Sequence, residues 1–248
     1  MKSKLACSVF LLTIFNGVQA AEINVLTTGA FKPVLLAIAP ELEASQHITL
    51  NLSNGTAGEL SKRIESGEKF DVAILTDSLV RKFEATGSLD RDTAKNVAKV
   101  GIGVAVPLNA PKPAISTVDD FKAMLHSEAK IAYIDPKSGG SSGIYLIGLF
   151  DKLGVSDEVV RKSVLVNGGL VGTKLIDGEA TIAIHQISEL LAVKGIQYVG
   201  ALPAEIQSYT TYTAAMAKGS QNAKDSLELI KALGGDKAVS LLRANGME

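Results

Sequence analysis

The chain has one cysteine in 248 residues, no tryptophan and three histidines. A lone cysteine, Cys7, cannot close an intrachain disulfide or build a thiolate metal site. The histidines, His47, His126 and His185, are scattered and have no patterned carboxylates around them, so no metal is expected. No glycine is followed by lysine, which removes a phosphate-binding loop of the Walker type, and no G-x-G-x-x-G occurs. Basic and acidic residues are balanced at 25 and 26 with no basic tract, so neither nucleic acid nor an anionic membrane is an expected partner. Beyond the N-terminus no apolar run approaches the ~20 residues that a membrane span needs.

What is present begins with Met1-Lys2-Ser3-Lys4, an apolar run over residues 5–15, and Val18-Gln19-Ala20-Ala21. A basic start, a short apolar core and a small-residue exit predict a secretory signal peptide, residues 1–20, cleaved after Ala20. Cys7 falls inside it. Losing Lys2 and Lys4 takes the 25 basic residues to 23 against 26 acids, a formal charge of −3. The expectation is an exported, periplasmic, soluble protein that uses no cofactor.

β-branched apolar runs alternate with helical periodicity along most of the chain. Strands are predicted at 23–26, 48–52 and 72–75, each followed by a helix, at 31–42, 57–65 and 79–85. The rhythm breaks at 97–106, a long strand-like stretch ending at Pro107, and resumes after the stiff Pro111 and Pro113 connector. A helix at 118–125, with Thr117 as its cap, leads to strands at 130–134, 164–166 and 181–184. These alternate with helices at 144–153, 170–176 and 187–192. Extended segments at 198–200 and 209–216 and helices at 223–233 and 237–244 finish the chain. Alternation of this kind predicts an α/β fold of mainly parallel sheets flanked by helices. Two such sets joined by two extended connectors predict two lobes, 21–106 plus 207–248 and 107–206, with a ligand cleft between them.

Four loops fall where parallel strands give way to helices, the usual place for a ligand. Thr27-Thr28-Gly29-Ala30 follows the first strand; Thr28 can cap a helix and Gly29 allows close backbone approach. Ser53-Asn54-Gly55-Thr56-Ala57-Gly58 follows the second, with Thr56 and Glu59 spaced as a capping box. Asp135-Pro136-Lys137-Ser138-Gly139-Gly140-Ser141-Ser142-Gly143 is the most polar and glycine-rich. Its G-x-S-x-G match suggests a serine nucleophile, but Ser141 stands seven residues past Ile134 with Pro136 between, too far for a strand-end elbow. That demotes Ser141 to a hydrogen-bond donor beside Ser142 at a helix N-terminus, where unpaired amides and the helix dipole favour an anion. The fourth is His185-Gln186-Ile187-Ser188-Glu189, where Gln186 ends a buried run and can donate or accept.

Together these features resemble the periplasmic molybdate-binding family of type II solute-binding proteins, over nearly all of the mature chain. The matching pieces are residues 23–40, Gly58-Glu59-Leu60-Ser61-Lys62-Arg63-Ile64-Glu65-Ser66-Gly67 into Phe70-Asp71-Val72-Ala73-Ile74, Asp135-Pro136 with Ser142-Gly143-Ile144-Tyr145, and residues 229–246. The resemblance implies a monomer whose two lobes close on a small anion by a hinge, with crossings near Val106 and Gln207, and delivery to an ABC transporter permease. Implied ligand contacts are Thr28, Gly29, Ala30, Gly55, Thr56, Ala57, Ser141, Ser142, Gly143, Tyr145 and Gln186. Molybdate binders present serines from the first two loops, whereas Ala30 and Ala57 or Gly58 stand there in this chain. The implied ligand is therefore an oxyanion or a carboxylate rather than molybdate in particular. Ser142-Gly143-Ile144-Tyr145-Leu146 and Gln186-Ile187-Ser188-Glu189-Leu190 are similar to segments of bacterial aconitate isomerase, a branch of the same family. That likeness implies the alternative of an isomerase moving a proton on a tricarboxylate, with His185, Tyr145 or Lys32 as acid or base.

Overall fold

A computed structural model describes residues 21–248. The expected signal peptide and Cys7 lie outside the described residues. The described chain opens with β1 (Ala21–Thr28), α1 (Lys32–Gln46), β2 (Ile48–Gly55), α2 (Ala57–Glu65), β3 (Val72–Thr76) and α3 (Asp77–Ala85). It continues through β4 (Lys95–Val100), β5 (Ile102–Pro107), α4 (Val118–His126), β6 (Ile131–Ile134), α5 (Ser141–Leu153) and α6 (Ser156–Arg161). Then come β7 (Ser163–Val166), α7 (Thr173–Ile176), β8 (Ile182–Gln186), α8 (Ile187–Leu191) and β9 (Ile196–Ala201). The last elements are β10 (Thr210–Met216), α9 (Ala223–Ala232) and α10 (Asp236–Ala244).

Two five-stranded sheets result, ordered β2-β1-β3-β10-β4 and β7-β6-β8-β5-β9. In the first, β1 is parallel to β2 and β3, and β10 is antiparallel to both β3 and β4. Four strands thus share a direction and β10 alone opposes them. The second sheet repeats this plan with β5 as the opposed strand. Each opposed strand is the one that has just arrived from the other sheet. It comes without the crossover helix that a parallel neighbour needs, so it pairs antiparallel.

Both sheets are packed on both faces. Ile23, Val25, Val72 and Ile74 join one cluster, while their alternating neighbours Leu26, Ala73 and Leu75 join another. Val104, Tyr133 and Ile184 likewise face away from Ala105, Ala132 and Ala183. Continuous apolar runs such as Val72-Ala73-Ile74-Leu75 follow from this two-sided burial.

The expected unbroken stretch at 97–106 is two strands in different sheets. The chain leaves the first sheet at Gly101, five residues before Val106. The side chain of Gln207 fixes this crossing: its Oε1 accepts from Ile102 N at 2.8 Å and its Nε2 donates to Ile102 O at 2.9 Å. A Cβ on residue 101 would lie 3.1 Å from that side chain. The return crossing lies between β9 and β10, in the segment that contains Gln207. Three smaller differences are local. Helix α5 starts at Ser141 rather than 144, α7 is confined to Thr173–Ile176, and α6 is an additional short helix.

Candidate functional site

The loops after β1, β2, β6, β7 and β8 meet around a cavity of about 370 Å³ between the two sheets. The first sheet contributes Thr28, Gly29, Ala30, Gly55, Thr56 and Ala57, and the second Ser141, Ser142, His185 and Gln186. The N-terminal ends of α1, α2 and α5 all reach it, so their dipoles put positive potential there.

The floor is a bonded polar network. Gln186 Nε2 donates to Ser141 Oγ at 3.0 Å and to Thr210 Oγ1 at 3.1 Å. The buried Tyr212 hydroxyl donates to Gln186 Oε1 at 2.8 Å. Gln186 is therefore committed to tying the second sheet to β10 of the first. Burial, then the nearby Glu189 carboxylate, push the Tyr212 phenol far above its ordinary range, so it stays a protonated donor. Thr28 Oγ1 faces this network but makes no hydrogen bond of good geometry. It does not cap α1, whose flanking N-terminal residue is Phe31 and whose first turn contains Pro33 with its pre-set φ.

A second chain of polar groups runs beside the first. Ser142 Oγ lies 2.8 Å from His185 Nδ1, and His185 Nε2 lies 3.0 Å from Glu189 Oε2. The Nε2 contact is short but out of line, so that atom has no well-formed hydrogen bond. All three residues are buried, and all three line the cavity. Glu189 packs against Gly29 across the lobes: a Cβ on residue 29 would stand 2.5 Å from Glu189 Oε1. A side chain at position 29 would have to displace the Glu189 carboxylate.

Thr56 is already satisfied. Its hydroxyl accepts from Glu59 N at 3.1 Å in the capping box and donates across the cleft to Ser138 O at 2.6 Å. Beside it, Gly58 N donates to Gly139 O at 3.2 Å. The loop between β6 and α5 thus feeds its own carbonyls to the N-terminus of α2 and holds the lobes in contact. At the rim, Lys32 Nζ donates to Asn54 Oδ1 at 2.8 Å. Pro33, Leu36, Ile134 and Leu170 give the cavity an apolar side.

Two of the anticipated residues point elsewhere. Tyr145 donates to Ile206 O at 2.7 Å and lies outside the cavity lining, and burial raises its phenol. Gly143 is also outside; it lets α5 seat on β6, where a Cβ would fall 2.2 Å from Ile134 O. Conversely, sequence reasoning passed over Glu189 and Tyr212. The i,i+4 spacing of His185 and Glu189 was a usable signal for the first; nothing local marks the second. Among the described residues no group of three or more His, Cys, Asp or Glu is placed to hold a metal ion.

Residues 23–248 match the family model described as bacterial extracellular solute-binding protein. The chain is 29% identical to an aconitate isomerase from a Pseudomonas species, over 91% of this chain and 87% of that protein. It is 26% identical to the putative ABC transporter substrate-binding lipoprotein YvgL of Bacillus subtilis, over 99% and 98% of the two chains. Its fold is similar to that of the Azotobacter vinelandii periplasmic molybdate-binding protein, with a TM-score of 0.76 at 18% identity, over 91% and 98% of the two chains. A family model spanning almost every described residue, together with the two-lobed fold, leads to one conclusion: the chain belongs to the bacterial extracellular solute-binding proteins.

Proposed function

We propose that this protein captures a small anion, an oxyanion or a carboxylate, between its lobes and hands it to an ABC transporter permease. The observation that carries this reading is the cavity of about 370 Å³, into which three helix N-termini and hydroxyls from both sheets converge. Export through the N-terminal leader and a monomeric state in the periplasm belong to the same reading. The hinge is formed by Gly101 and Gln207, the Gln207 side chain packing on Gly101 and bonding to the backbone of Ile102. Thermal unfolding of the mature protein against molybdate, tungstate, sulfate, phosphate and di- and tricarboxylates tests it. A true ligand at 100 times its Kd adds about 2.7 kcal/mol and raises Tm visibly. If no anion moves Tm, the binding reading is wrong.

A second reading is an isomerase that shifts the double bond of a tricarboxylate by proton transfer. It is favoured by the 29% identity to an aconitate isomerase and by the burial of His185 in the cavity between Ser142 and Glu189. Of the acid and base candidates, Lys32 sits at the rim and Tyr145 is bonded to Ile206, which leaves His185 as the proton carrier. Aconitate incubated with the protein in heavy water should then lose its vinyl proton signal, and His185→Gln should slow that loss at least ~100-fold. Unchanged spectra at high protein concentration rule the activity out.

A further inference from the structure

We infer that Glu189 makes the cleft selective for an organic hydroxy acid, a carboxylate that brings its own O–H donor, and against fully ionised mineral oxyanions. This rests on the anion-binding reading and narrows it to a ligand class.

Three observations support it. First, Glu189 is 8% exposed, lines the cavity and has one close polar side-chain neighbour, His185. One oxygen lies 3.0 Å from His185 Nε2 and the other packs over Gly29. A carboxylate taken out of water accepts strongly and offers no proton, and beyond the one contact with His185 it has lone pairs left for a donor on the ligand. Molybdate or sulfate, with no proton at neutral pH, meets it as a like charge.

Second, the charges are split across the site. Lys32 lines the cavity with its ammonium bonded to Asn54 in an exposed position, whereas Glu189 lines it from a buried one. A ligand ionised at one end and bearing a hydroxyl at the other matches this polarity.

Third, about 370 Å³ corresponds to roughly a dozen water-sized volumes, far more than a five-atom tetrahedral ion fills. The apolar side made by Pro33, Leu36, Ile134 and Leu170 suits a carbon skeleton.

The test compares acids that differ only by a hydroxyl, malate with succinate and citrate with tricarballylate, by calorimetry at pH 7.5. At least one hydroxy acid should bind about tenfold or more tighter than its partner, and tighter than molybdate or sulfate. Glu189→Gln should shrink that preference at least threefold and strengthen sulfate or molybdate binding, opposite changes that general destabilisation cannot produce. Equal affinity for the members of each pair in the unaltered protein overturns the inference without needing the variant. So does mineral-anion binding as tight as that of the hydroxy acids, although the anion-binding reading then stands. If no anion of any class binds, both fall.

Discussion

Gly58→Ala should weaken ligand binding by roughly 5- to 150-fold without unfolding the protein. A Cβ at residue 58 would stand 2.7 Å from Ser138 O and 2.8 Å from the Gly139 Cα, both backbone atoms of the opposite lobe. Neither can swing aside as a side-chain tip would. Overpacking of this sort costs about 1–3 kcal/mol, and the whole penalty falls on the closed arrangement in which the lobes touch. A ligand that needs that arrangement sees its apparent Kd divided by the population that remains competent. Position 58 lies in the first turn of α2, where alanine is the better helix former by ~1 kcal/mol. Tm of the ligand-free protein should therefore hold or rise while affinity drops. Unchanged affinity in Gly58→Ala would show that contact between α2 and the β6–α5 loop plays no part in closure.

Asp71→Ala should lower stability by about 3 kcal/mol or more, with Tm falling by roughly 6–12 °C. The Asp71 carboxylate is buried and receives Asn24 N at 3.0 Å, Ser220 Oγ at 2.7 Å and Asn222 Nδ2 at 3.3 Å. It therefore ties β1, the entry to β3 and the turn after β10 into one corner of the first sheet, far from the cleft. Alanine leaves these donors without an acceptor. Burial alone would raise this carboxyl; the donors Ser220, Asn24 and Asn222 outweigh it and hold the group below the usual carboxylate range. A depressed value in the folded state means that the contribution is fully present above the ordinary aspartate pKa of ~3.9. It is lost as pH falls through the lower folded value. Asp71→Asn should flatten that acid limb in a pH series of urea unfolding. An acid limb identical in the variant would remove Asp71 as its source.

Much of this molecule was legible from neighbours in sequence. The alternation of strand and helix, the two-sided burial of runs such as Val72-Ala73-Ile74-Leu75, the capping box at Thr56 and the cap at Thr117 depend on residues within a few positions of one another. Local periodicity and helix-end chemistry are enough to write them. The same rhythm put the polar loops after the strands, and most of the residues singled out there do line one cavity.

What the tertiary structure alone decided are the relations between distant segments. The break at Gly101 follows from strand pairing: β4 finds β10 and β5 finds β8, in different sheets, although only one residue separates them. Thr56 looked free to grip a ligand until the carbonyl of Ser138, 82 residues on, took its hydroxyl. Glu189 looked like an ordinary acid in the first turn of a short helix. Its place beside His185 follows from their i,i+4 spacing, but its burial against Gly29 arises only when the two lobes meet. Short-range order is encoded in period and caps; the chemistry of the cleft depends on which strand ends the sheet order brings face to face.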